Sequence, residues 1–210
     1  MSRRAIHTLT RALFVLLVAA SFGAFAQAPQ GAAPATQAPS GMRLADALRQ
    51  GGYILYFRHT ATDFSQNDER MTGFEDCANQ RNLTDAGRAD ARAIGAAIRS
   101  LGIPIGEVLA SPFCRTRETA ELIFGRYTVS TAVRGGPAQN DSGRYDELRV
   151  LLTRRVPGKV NLAIASHGNP FAAVVGTPYL AEGEVAIIEP RDAGFSVVAR
   201  IKKDEWAALK

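Results

Sequence analysis

Two unbroken apolar runs constrain this chain more than any other feature: YILYF at residues 53–57 and VNLAIAS at residues 160–166. Both are short, β-prone and free of polar alternation, so they read as strands covered on both faces. Around them lie stretches with helical periodicity. Residues 43–50 set Leu44, Ala47 and Leu48 on one face before Gly51 and Gly52. Thr84 is placed to cap a long helix ending near Leu101. Its apolar positions are Ala86, Ala89, Ile94, Ala97, Ile98 and Leu101, and Gly102 stops it. GEVLAS at 106–111 reads as another strand, followed by a helix over 115–124. Residues 145–152 predict a further helix, and Pro170 is suited to open one after the second apolar run. VAIIEP and FSVVARI read as later strands, and residues 203–209 as a short amphipathic helix. Strands alternating with helices predict an α/β fold, a mostly parallel sheet flanked by helices on both faces. With 46% hydrophobic and 21% charged residues, the chain suits one domain with one core, placed at residues 42–210.

The N-terminus reads differently. Arg3, Arg4 and Arg11 precede an apolar run at 12–20, and small residues Ala24 and Ala26 follow. That is the three-part pattern of a secretory signal peptide over residues 1–26. An uncleaved anchor is the alternative, but the run is short for a membrane span. The expectation is a secreted, periplasmic protein with no stable membrane span after cleavage. Residues 27–41, rich in Ala, Pro, Gln and Gly, read as a flexible linker. Cleavage would remove three arginines and no acids, leaving a net charge of about +2. No Lys/Arg run and no basic helix face points to nucleic acid. Cys77 and Cys114 predict one disulfide in an oxidising compartment, with two buried thiols as the alternative. There is no CxxC and only two histidines lie beyond the leader, so no metal site or cofactor is expected.

In open α/β sheets ligands bind beyond the carboxyl ends of the strands. The first strand ends in Arg58–His59. The GEVLAS strand ends in Ser111–Pro112, with Arg115 one turn on, and the second apolar run ends in Ser166–His167–Gly168. Two arginines offer planar forks that match phosphate oxygens, and helix N-termini add backbone donors. A neutral imidazole among them can accept a phosphoryl group covalently. A second, charged histidine can stabilise the transferring group, and a carboxylic acid should protonate the leaving oxygen.

RHT after a strand, RNLTDAG at a helix start, SPFCRTRETA and SHG, in this order, resemble the histidine phosphatase superfamily, the phosphoglycerate mutase-like fold. The similarity covers about residues 44–190 and fits the compact branch better than the acid-phosphatase-like one, since no His-Asp pair follows the last strand. The resemblance implies a phosphomonoester hydrolase in which His59 becomes phosphohistidine. Arg58, Arg115 and His167 would hold the phosphate, and Thr62 would add a hydroxyl. Arg81 is either a substrate contact or a surface residue, and Arg117 reads as exposed. Thr60 stands where many relatives have glycine, so a side chain there would narrow the pocket. For the general acid Glu184 comes first and Glu182 is its direct competitor, with Asp63, Asp141 and Glu147 behind. A Cys77–Cys114 bridge would tie the loop after His59 to the arginine clamp. The implied partner is a small phosphorylated substrate. A non-catalytic phosphate-binding envelope protein is the alternative, as is another phosphoryl-transfer enzyme of the superfamily: a mutase or a phosphohistidine-protein phosphatase.

Overall fold

The computed structural model describes residues 42–136 and 143–209. The leader, the linker and Asp141 lie outside them. Six strands form one sheet in the order β3-β2-β4-β1-β5-β6. They are β1 (Ile54–Arg58), β2 (Ile105–Ala110), β3 (Thr128–Val129), β4 (Asn161–Ser166), β5 (Val185–Arg191) and β6 (Gly194–Ile201). The β3, β2, β4 and β1 pairings are parallel, and β5 pairs antiparallel with both β1 and β6. The helices are α1 (Met42–Gln50), α2 (Asp85–Ser100), α3 (Cys114–Phe124), α4 (Asp146–Thr153) and α5 (Gly168–Val175).

Both faces are covered, as the continuous apolar runs require. Along β1 the side chains alternate. Leu55 and Phe57 join Leu48 of α1, Ile94 and Ile98 of α2, and Ile123 of α3 in one layer. Ile54 and Tyr56 face the other way, onto Leu148 and Leu152 of α4 and Phe171 of α5. Ala163 and Ala165 of β4 are small enough for α3 to settle close through Ala120. Burying each large aliphatic side chain stabilises the fold by about 1.5–3 kcal/mol.

Thr84 caps α2, its Oγ1 accepting from Gly87 N at 2.9 Å. The buried stripe of α2 is Gly87, Ala91, Ile94, Gly95 and Ile98, whereas Ala86 and Ala89 are exposed. The stripe is offset from the expected one because two glycines, invisible to an apolar pattern, are packing residues. Gly87 packs so closely that a Cβ there would meet Ala61 O at 2.2 Å. The C-terminal segment is also corrected: it is a turn followed by a 3-10 helix, Trp206–Leu209, that buries Trp206 and Leu209. β3 has two exposed residues and no apolar pattern to announce it. Pro190 is tolerated in β5 because β1 stops pairing at Ile188, so only β6 lies beside it. Among the described residues no helix is long and apolar enough to cross a membrane.

Candidate active site

β1 and β4 are neighbours in parallel register, with Arg58 opposite Ser166. The next residue of each strand is a histidine, so His59 and His167 leave the sheet at the same level. His59 N donates to Ser166 O at 3.0 Å, and the two rings lie 5.4 Å apart, edge to face. On the far side of β4, Ser111 N donates to Ala165 O, and Ser111 Oγ lies 2.8 Å from His167 Nε2. α3 starts beyond Ser111 and carries Arg115 into the same space. Sheet order thus gathers residues far apart in the chain, without any loop having to find its own path.

His59 is buried, and its Nδ1 lies 3.0 Å from Thr60 O. A carbonyl only accepts, so Nδ1 carries the proton and Nε2 keeps a free lone pair in the neutral ring. Burial, with Arg115, Arg58 and Arg81 acting in the same direction, lowers the His59 pKa to about 3 against the opposing pull of Thr60 O. Burial likewise holds His167 well below the usual histidine range, with His59 and the same three arginines adding to it. Both imidazoles are therefore neutral in this structure. An arriving phosphate dianion would reverse much of that electrostatic penalty.

Three guanidiniums surround the pair. Arg58 Nη1 donates to Leu180 O at 2.7 Å, and Arg115 Nη1 donates to Asp68 Oδ1 at 3.0 Å and to Arg81 O at 3.3 Å. Arg81 faces the site as well, since its charge acts on both histidines. The Nε atoms of Arg58, Arg81 and Arg115 are all buried without a hydrogen-bond partner. Buried donors are almost always paired. The three guanidinium charges act together on two neutral imidazoles, a cationic cradle that favours an anion.

The two candidate acids separate clearly. Glu184 is bound by Arg200 through Nε at 2.7 Å and Nη2 at 2.8 Å, and its Oε2 accepts from Ala181 N at 2.7 Å. These bonds hold its carboxyl below the usual range despite burial. The carboxylate of Glu184, the first choice for general acid, is thus bound by Arg200 and Ala181, and its backbone O accepts from Arg58 N. Glu182, its competitor, lies beside the first histidine. Its Oε1 lies 3.8 Å from both His59 Nδ1 and Arg58 Nη2. Thr62 Oγ1 donates to Glu182 Oε1 at 2.6 Å, so this hydroxyl addresses the acid rather than open phosphate space. Asp63 bonds Ser65, and Glu147 is exposed at the start of α4. Thr60 turns its hydroxyl toward Thr119 Oγ1, at 3.5 Å.

The Cys77–Cys114 disulfide is formed, and it fastens the 64–81 loop to the first turn of α3, next to Arg115. Arg117 is not a free surface residue: it donates to Cys114 Sγ, Phe74 O and the Glu75 carboxylate. Asp68 was missed by sequence reasoning, since a single acid in a polar loop has no pattern. Among the described residues no group of three or more His, Cys, Asp or Glu is placed to hold a metal.

A family model described as the histidine phosphatase superfamily, branch 1, matches residues 54–159. Solved structures agree on the fold. The protein histidine phosphatase SixA with tungstate shares 16% identity at a TM-score of 0.50, covering 72% of this chain and 97% of its own. Mycobacterial glucosyl-3-phosphoglycerate phosphatase with VO3 shares 16% at 0.51, covering 70% and 97%. A mutant phosphoserine phosphatase from Entamoeba histolytica, in complex with phosphoserine, shares 14% at 0.51, covering 72% and 98%. No curated protein matches the chain.

Proposed function

This chain belongs to the histidine phosphatase superfamily, and on that premise we propose that it is a phosphomonoester hydrolase working through a phosphohistidine on His59. The observation that carries the reading is the pairing of His59 and His167, rings 5.4 Å apart, with the charges of Arg58, Arg81 and Arg115 acting on both. Fold-level likeness to phosphatases supports it.

The chemistry follows from the geometry. The phosphoryl group sits among Arg58, Arg81 and Arg115, which spread its charge over fixed dipoles in a water-poor site. His59 Nε2 attacks phosphorus, its lone pair free because Nδ1–H is held by Thr60 O. The P–O bond to the alcohol breaks, and the departing oxygen takes a proton from Glu182 in its acid form. A water then attacks the P–N bond and gives its proton to the Glu182 carboxylate. This releases inorganic phosphate and restores neutral His59. His167, steadied by Ser111, binds the equatorial oxygens. The guanidiniums supply the positive charge, so the reading assigns no metal.

We place the work outside the cytoplasm, in keeping with the secretory N-terminal pattern. The Cys77–Cys114 disulfide supports an oxidising compartment. The test is hydrolysis of p-nitrophenyl phosphate in EDTA from acid to neutral pH, for wild type and His59→Ala. Turnover that vanishes in the variant supports the reading. Phosphate binding with no wild-type turnover would leave a binding protein instead.

A further inference from the structure

Every arginine of the cradle lies against an aromatic ring. The Arg115 guanidinium is 4.5 Å from the Phe113 centroid, that of Arg81 is 4.7 Å from Phe64, and that of Arg58 is 5.6 Å from Tyr179. Phe113 is drawn inward, packed edge-on to His167 and Phe74. The other two rings are not. Phe64 is 70% exposed and Tyr179 is 49% exposed, although each already covers a cation. Among the described residues the other exposed large hydrophobic side chains, Tyr127, Val129 and Val150, lie away from the cradle, around β3 and α4. Two exposed rings beside one polar site, each set on a cation, mark a surface that a ligand can use.

The chain segments that carry the two rings are anchored. Tyr179 lies directly on Gly168, the residue after His167, where a Cβ would come within 2.0 Å of its Cε1. Its segment is anchored by Arg200, which donates to Pro178 O and Tyr179 O, and by Arg58, which donates to Leu180 O. Phe64 follows Asp63, whose N donates to Asn82 O, so the start of its loop is tied back beside Arg81. Each ring therefore has one face on a phosphate-binding arginine and open surface beyond.

We infer that Phe64 and Tyr179 form a leaving-group subsite for a ring: the substrates are monophosphate esters of ring-bearing alcohols, sugar or nucleoside, rather than of short acyclic ones. The inference rests on the phosphatase reading for the position of the phosphate. Aromatic faces suit the flat apolar side of a base or sugar ring, and stacking is tolerant of the ring's substituents. Holding the ring orients the ester oxygen without any added charge.

The test is equilibrium binding to the His59→Ala chain, in which the nucleophile is gone and ligands stay intact. The ligands are a nucleoside 5′-monophosphate, a hexose 6-phosphate, glycerol 3-phosphate and inorganic phosphate. At least one ring-bearing ester should bind about tenfold tighter than glycerol 3-phosphate. Adding Phe64→Ala or Tyr179→Ala should abolish that margin and change inorganic phosphate affinity by less than about threefold. Phe64→Leu and Tyr179→Leu keep apolar bulk without a ring and should also lose it. Equal affinity for ring and acyclic esters overturns the inference. So does a loss that falls equally on inorganic phosphate, because the rings would then serve only to hold the arginines. Phosphate binding without wild-type turnover sinks the hydrolase reading alone; no binding of any phosphate sinks both.

Discussion

Thr62 Oγ1 donates to Glu182 Oε1 at 2.6 Å, holding a carboxylate 3.8 Å from His59 Nδ1. Two residues on from Glu182, Glu184 is spent on Arg200. The two acids should therefore fail in different ways. Glu182→Gln should lower kcat for alkyl phosphates by about 10²–10³-fold. It should lower the first-turnover release of p-nitrophenol much less, because that leaving group needs no proton, while steady turnover of this ester waits on the second step. Thr62→Val should lose about tenfold through misplacement of the acid. Rapid-quench kinetics of the first turnover with the two leaving groups, beside the steady-state rates, checks both.

Glu184→Gln should be a stability variant. It leaves Arg200, which also ties down Pro178 O and Tyr179 O, without its charged partner. The expected loss is about 1–3 kcal/mol, read as a lower midpoint in urea. Activity per folded molecule toward p-nitrophenyl phosphate should stay within about threefold of wild type. A large loss in kcat with unchanged stability would return the acid role to Glu184.

Buried neutral histidines make the fold sensitive to acid. The folded His59 pKa is about 3, below the ordinary histidine value, so the unfolded chain takes up the proton first. This contribution to stability is fully present above pH ~6.5. It falls by about 1.4 kcal/mol per pH unit as pH drops toward about 3. His167, shifted the same way, adds to it. Thermal melts from pH 7 to pH 4 should show a steep decline that is shallower in His59→Ala and partly reversed by phosphate. A profile identical in wild type and variant would contradict the buried neutral state.

Reduction should act on both stability and the site. The disulfide closes a separation of 37 residues and sits one position from Arg115. Cys77→Ser with Cys114→Ser should cost about 2–4 kcal/mol. It should also raise KM more than it lowers kcat, because the loop supplying Asp68 and Arg81 to the clamp is released. Melting and kinetics of the double variant, with and without phosphate, measure the two effects.

Much of this was legible in the chain. The apolar runs of β1 and β4 gave buried strands because no other short element tolerates such continuity. Their terminal Arg58–His59 and Ser166–His167 then marked the sheet edge. Arg115 was placed at the same edge through its position after β2, and the cysteine pair was expected from parity and compartment. What the sequence left open was set by orientation rather than residue type. Glu182 and Glu184 differ by two positions, and only Arg200, arriving from antiparallel β6, decides which one is occupied. Asp68, Phe64 and Tyr179 lie outside regular elements, where no periodicity reports which way a side chain turns.

The central claim is that the phosphoryl group passes through His59. The most direct measurement uses Glu182→Gln with p-nitrophenyl phosphate under an alkaline quench, followed by peptide mass spectrometry. The first step needs no acid with this ester, whereas the second loses its base. The account predicts a burst of one p-nitrophenolate per chain and a phosphorylated peptide carrying the group on His59. Steady turnover with no burst, or a phosphoryl group found on another residue, would contradict it.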